Sequence, residues 1–340
     1  MRRPDSGRGG WPLGLLGMLA MVAGVERWVV AHDLDFTTAS AADWSTAARA
    51  AGKVDRRTTL LCLGDSLVKY GLIPDALDAS LGGRSANLAV QGARAPTAYF
   101  QLRRALAAGA RPSAVVVDYD GYHLGRDPDD LVRLWAELAT PRDMVELARD
   151  AGSASLLAAL AGRPHPRRDA IPPLWRTWRR NRGAQPMPPA AGPPGEVLMG
   201  DVPWEPTYVN RIYVDKFMRL AAAHGIAVRW LIPPTRPDVQ AARDRLSAEP
   251  AYTAFVRRAL DRYPNLTILD ARHSGYPASA FHDLTHLDRR GAAALSRDLA
   301  AMLRGPLGRY SPLPPFRGFD GEGPEDIEQS RLALEARARR

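Results

Sequence analysis

Five short runs of apolar residues, each followed by a helix-compatible stretch, constrain this chain more than any other feature. They lie at 58–66 (TTLLCLGDS), 85–92 (SANLAVQG), 113–121 (SAVVVDYDG), 226–234 (IAVRWLIPP) and 265–271 (NLTILDA). Runs without an apolar/polar alternation belong to strands buried on both faces. The intervening segments 67–81, 97–109, 208–224, 239–263 and 288–303 read as helices, with Pro74 marking a boundary or a first turn. Right-handed crossovers between parallel strands place such helices on both sides of the sheet. The expected fold class is therefore α/β: a three-layer, flavodoxin-like sheet of about five parallel strands. Ligands in such sheets bind beyond the carboxyl ends of the strands. Chemistry is thus to be sought at Gly64-Asp65-Ser66, Gln91-Gly92-Ala93, Asp118 to His123, Pro233-Pro234-Thr235 and Asp270 to His273.

The regular pattern breaks between 124 and 206. Its first part, 127–161, reads as helical, whereas 162–206 holds eleven prolines, seven arginines and Trp175, Trp178 and Trp204. Such proline density does not build a core layer, so 124–206 is expected to be an insertion over one end of the sheet or an excursion from it. Its WRTWRR segment (175–180) suits either a membrane surface or docking against the domain. Residues 32–57 read as a helical lead-in without a strong apolar stripe, and 306–340 as a peripheral tail. The domain proper is then 58–123 joined to 207–305.

At the N-terminus, three arginines within residues 1–10 precede an uncharged run from Trp11 to Val25. A basic leader before an apolar run is the layout of a signal anchor or a signal peptide, assigned to 1–31. The expected location is extracytoplasmic, tethered to a membrane by that segment or else secreted. The formal charge of +9, from 46 Lys+Arg against 37 Asp+Glu, arises almost wholly from arginine, since Lys53, Lys69 and Lys216 are the only lysines. A bias that uniform, spread along the chain, argues against a nucleic-acid face. The single Cys62 excludes an intrachain disulfide and a cysteine-rich zinc site.

Two elements carry chemistry. The first run delivers Gly64-Asp65-Ser66-Leu67 into a turn that opens a helix, presenting a serine above the sheet edge. Far along the chain, Asp283-Leu284-Thr285-His286 places a carboxylate three residues before an imidazole, so the carboxylate can orient the ring and stabilise its protonated form. Taken alone, the first reads equally as a helix cap and the second as a cap or a metal-ligand pair. No phosphate loop, dinucleotide fingerprint or metal-ligand spacing is found, so no cofactor and no metal are expected.

In combination these blocks resemble the SGNH/GDSL hydrolase superfamily, at Gly64-Asp65-Ser66, at Gly92 of NLAVQGA, and at Asp283 to His286, across about Thr58 to Leu303. The resemblance implies a three-layer fold, ester hydrolysis or acyl transfer, and a Ser-His-Asp triad. It makes Ser66 the nucleophile, His286 the general base and then acid, and Asp283 its orienter, with the N–H groups of Ser66 and Gly92 in the oxyanion hole. The family's usual third block, Gly-x-Asn-Asp, is absent; Asp120 stands at the Asn position, where a carboxylate repels an oxyanion, so the hole either uses backbone donors alone or takes a substitute from His123 or Tyr122. Asp65, His123 and His282 are expected to line the substrate site, with Lys69 and Tyr70 facing substrate or solvent and His273 with Asp270 forming a second wall. The divergent third block resembles exported proteins of polysaccharide O-acetylation. The expected substrate is therefore an acylated carbohydrate or another cell-envelope ester. A lipid or lysophospholipid esterase and a non-catalytic carbohydrate-binding or assembly protein remain as alternatives.

Overall fold

The computed structural model describes residues 13–32, 39–160, 181–190 and 201–319. Helices α1 (Leu13–His32) and α2 (Ala39–Ala51) precede β1 (Leu60–Leu63). Then α3 (Ser66–Gly71) and α4 (Pro74–Leu81) lead to β2 (Ser85–Asn87), and α5 (Ala95–Ala107) leads to β3 (Ala114–Val117). The interruption contributes α6 (Gly121–Leu124), α7 (Val132–Leu138) and α8 (Pro141–Ala151), and α9 (Tyr208–Ala223) returns the chain to β4 (Ala227–Ile232). Helices α10 (Pro237–Arg243) and α11 (Ala248–Arg262) precede β5 (Leu266–Asp270), and α12 (Arg289–Arg304) precedes β6 (Tyr310–Pro312).

All strand pairs are parallel, in the order β2-β1-β3-β4-β5-β6. Strands β1, β3, β4 and β5 are buried on both faces, as their apolar runs require. Leu61 and Leu63 join one core with Val115, Val117 and Trp230, covered by α2, α5, α7, α8, α9 and α11. Leu60 and Cys62 point the opposite way into a second core with Val116, Leu231 and Leu269, covered by α3, α4 and α12. Cys62 is fully buried, and that burial pushes its thiol up to about 12.

The molecule departs from expectation at three places. A sixth strand, β6, extends the sheet from within 306–340, and Leu313 behind it is buried. A three-residue strand ending in Pro312 gives no periodicity to read, and its place at an edge is where proline is tolerated. Part of the lead-in packs into the domain: α2 docks on the first core through fully buried Trp44, which meets Trp135 of α7 edge-on at 5.1 Å. The run 85–92 is regular only to Asn87, whose side chain turns back to accept from Ala89 N–H and donate to Val68 and Leu72 carbonyls. The segment 67–81 divides into two helices at Pro74, the expected boundary.

Of the proline-rich half of the interruption, WRTWRR lies outside the described residues. Residues 181–190 strap the sheet's β2 side: Arg182 pairs with Asp75 and Asp78 of α4, and Gln185 N–H donates to the Lys69 carbonyl at 3.1 Å. Among the described residues, no helix is long and apolar enough to cross a membrane. Leu15, Met18, Val22 and Val25 of α1 are exposed.

Candidate active site

The sheet order reverses between β1 and β3, so the crevice beyond their carboxyl ends is where a ligand fits. Ser66 stands there as the first residue of α3. Asp65 caps that helix, its carboxylate accepting from Leu67 N–H at 2.7 Å. Gly64 adopts φ +127°, and a Cβ placed on it would lie 1.5 Å from Asp118 Oδ1. Only glycine meets both demands. The same Asp118 oxygen accepts Asp65 N–H at 2.9 Å, so the end of β3 fixes the turn that presents the serine.

The other partners come from the loop between β5 and α12. Ser66 Oγ and His286 Nε2 are 2.8 Å apart, and His286 Nδ1 is 2.7 Å from Asp283 Oδ2. The network assigns the tautomer: Nδ1–H donates to Asp283, leaving Nε2 to accept from the Ser66 hydroxyl. The other Asp283 oxygen accepts the N–H groups of Thr285 and His286 at 2.8 and 2.7 Å. Those hydrogen bonds and the His286 ring outweigh partial burial and hold the Asp283 carboxyl well below the usual carboxylate range. The ring of His286 is also braced edge-on by Tyr70 at 5.2 Å. Burial, with the Asp43 and Asp283 charges behind it, pushes the Tyr70 phenol up, so it remains a neutral wall.

Gly92 is carried to the same crevice because the β2 backbone keeps pairing with the β1 end: Leu88 N–H reaches the Cys62 carbonyl and Val90 N–H the Gly64 carbonyl, at 2.8 and 3.1 Å. At φ +66°, Gly92 takes the left-handed turn that follows. Asp120 does not act as a donor. Its carboxylate caps α6, accepting from Tyr122 N–H at 3.0 Å, and faces Arg243 at 3.8 Å.

His123 faces Asp65 rather than open crevice, its Nε2 3.4 Å from Asp65 Oδ2 while Arg94 Nη1 stands 3.3 Å from Nδ1. An arginine cannot accept, so Nδ1 is the acceptor and the proton sits on Nε2, facing Asp65. Both ring nitrogens are thus occupied within the protein. Beneath them lies the Asp118 carboxyl, which burial and then the neighbouring Asp65 charge raise well above the ordinary carboxylate value.

Three expected wall residues are placed elsewhere. The His282 ring turns outward to the Pro188 carbonyl at 2.8 Å, drawn there by the 181–190 strap. His273 is exposed, 3.8 Å from Asp244, while Asp270 is taken up by Arg272 and Tyr310. Lys69 meets neither substrate nor solvent: it is fully buried in an ion pair with Asp43 of α2 and reaches the Ala89 carbonyl at 3.3 Å. Its rarity among 46 basic residues was the available signal. Trp44 carried none, because its partner is a backbone carbonyl.

A cavity of about 560 Å³ opens beside Leu67, the residue after the serine, and runs along the ends of β3 and β4. Tyr122, Trp204 and Tyr252 contribute aromatic surface, and Asp120, Glu205 and Glu249 balance Arg126, Arg243 and Arg272. Trp204 is fixed by a hydrogen bond from its indole to the Gly121 carbonyl at 2.6 Å and by the Tyr252 ring at 5.5 Å. Among the described residues, no group of three His, Cys, Asp or Glu side chains is arranged to hold a metal ion.

Fold and site together define an α/β protein whose open, six-stranded, all-parallel sheet carries a hydrogen-bonded Ser-His-Asp chain at its topological switch point. No family model matches the sequence, and no curated protein matches it.

Proposed function

We propose that this chain is an SGNH-type serine esterase or O-acyltransferase, acting on acyl, foremost acetyl, esters of a carbohydrate or cell-envelope polymer. The observation that carries the reading is the unbroken link from Ser66 Oγ through His286 to Asp283, at 2.8 and 2.7 Å. His286 Nε2 takes the Ser66 proton as Oγ attacks the ester carbonyl carbon, and the Asp283 carboxylate stabilises the imidazolium. The tetrahedral intermediate collapses, the alcohol leaves with that proton, and the acyl group stays on Ser66. Water or a sugar hydroxyl then attacks the acyl-serine, passing its proton to His286, which returns one to Ser66. The N–H groups of Ser66 and Gly92 are assigned to the oxyanion, with no side-chain donor from Asp120.

The cavity beside Leu67 supports a carbohydrate over a lipid: its charges cancel, and aromatic surface among polar groups suits a neutral polyhydroxylated ligand. The basic leader and the exposed apolar residues of α1 support an exported, membrane-held protein. Turnover of acetyl and long-chain p-nitrophenyl esters, with Ser66→Ala alongside, tests the activity. Ser66-dependent release favouring acetyl is expected. A preference for long chains would shift the reading to a lipid esterase, and release that is independent of Ser66 would overturn it.

A further inference from the structure

Helix α2 contributes nothing to the triad, yet two adjacent residues on it hold both backbone polar groups of one residue in the crevice. The Trp44 indole N–H donates to the Gln91 carbonyl at 2.9 Å, and Asp43 Oδ2 accepts Gln91 N–H at 3.0 Å. Asp43 also forms the ion pair with Lys69, three positions after Ser66 on α3, and the two side chains are 3% and 0% exposed. A buried ion pair is weak as a source of stability, because desolvation offsets much of its attraction. What it does here is tie α2 to the helix of the nucleophile as well as to the Gln91 loop. Gln91 extends the link, since its side-chain amide donates to the Tyr70 hydroxyl and the Tyr70 ring braces His286.

The consequence falls on Gly92. In a trans peptide the carbonyl and the N–H point in opposite directions. A bond from Trp44 to the Gln91 carbonyl therefore turns Gly92 N–H away from α2. The next peptide is held as well, by Arg94 Nη1 donating to the Gly92 carbonyl at 2.7 Å. We propose that Trp44, on the Gln91–Gly92 peptide, and Asp43, on the peptide before it, are positioning residues that aim Gly92 N–H at the developing oxyanion. This inference rests on the assignment of Gly92 as an oxyanion donor in the proposed function. Loss of an oxyanion donor costs about 10²- to 10³-fold in rate, and loosening one costs less.

Trp44→Phe in the full chain is the test, because it keeps an aromatic ring in the core while it removes the indole N–H together with the rest of the fused ring. The matched control is Trp135→Phe, which removes an equivalent buried bond, from Trp135 to the Pro128 carbonyl at 2.9 Å, from the same core without touching Gln91. A fluorophosphonate reports the rate of Ser66 modification, p-nitrophenyl acetate reports kcat and KM, and urea unfolding reports stability. Trp44→Phe is expected to slow labelling and kcat about tenfold, with KM and final labelling extent unchanged, while Trp135→Phe keeps wild-type rates and both variants lower the unfolding midpoint to a similar degree. Equal rates in Trp44→Phe and wild type would overturn the inference, as would equal rate losses in the two variants. Absence of Ser66 labelling in the wild-type chain would overturn the proposed function itself and the inference with it.

Discussion

On the His286 side of Ser66, every polar atom that the chemistry needs has a partner, and the groups are half open to solvent, Asp283 being 44% exposed. On the His123 side, Asp65, Asp118 and Arg94 are buried, and Asp118 Oδ2 and Arg94 Nε meet no hydrogen-bond partner among the described residues. The first arrangement can change protonation state cheaply, because water and hydrogen bonds screen each new charge. The second cannot, because a charge change there is uncompensated. In the proposed reaction proton transfer therefore falls to His286, whereas the His123 cluster sets the shape of the Ser66 turn.

Substitutions should separate the two sides. Asp283→Asn removes the carboxylate that orients the imidazole, and activity should fall by about 10²- to 10⁴-fold. Because Asp283 is substantially exposed, its urea midpoint should stay near wild type. A loss below about tenfold would remove Asp283 from the triad. On the other side, Gly64→Ala drives a methyl into Asp118 and forces a left-handed strain, which should cost about 3–5 kcal/mol of stability. An unchanged midpoint would mean that Asp118 does not lie over the turn.

A smaller and pH-dependent effect belongs to Asp118→Asn. The native carboxyl has its pKa raised, so the folded state binds the proton more tightly than the unfolded one. Stability from that proton is present below the ordinary carboxylate value of about 4 and is lost as pH rises toward the native value, at up to about 1.4 kcal/mol per pH unit. The amide keeps the acceptor for Asp65 N–H and never ionises. Its stability relative to wild type should climb with pH, as read by thermal unfolding at a series of pH values. A relative stability that falls with pH would show that Asp118 is charged in the fold.

The same contrast explains what was legible in the sequence. Ser66, Asp283 and His286 stand in short blocks whose residue types the proposed reaction dictates, and the apolar runs placed those blocks at strand ends. Gly64 was legible as a motif letter, and its reason, the Asp118 carboxylate, came only with the fold. Lys69 was misread because a lysine one turn past a nucleophile looks like a surface group until Asp43 arrives from a helix whose residues show no stripe. Trp44 escaped notice because its partner is a carbonyl, which any residue at 91 supplies. Strand β6 is three residues long and ends in proline, so only pairing with β5 defines it.

The central claim is that Ser66 is an activated nucleophile, and fluorophosphonate labelling with peptide mass mapping tests it most directly. The expected result is one adduct per chain, on Ser66, absent in Ser66→Ala and strongly slowed in His286→Ala. No adduct, or one that persists in Ser66→Ala, would contradict it.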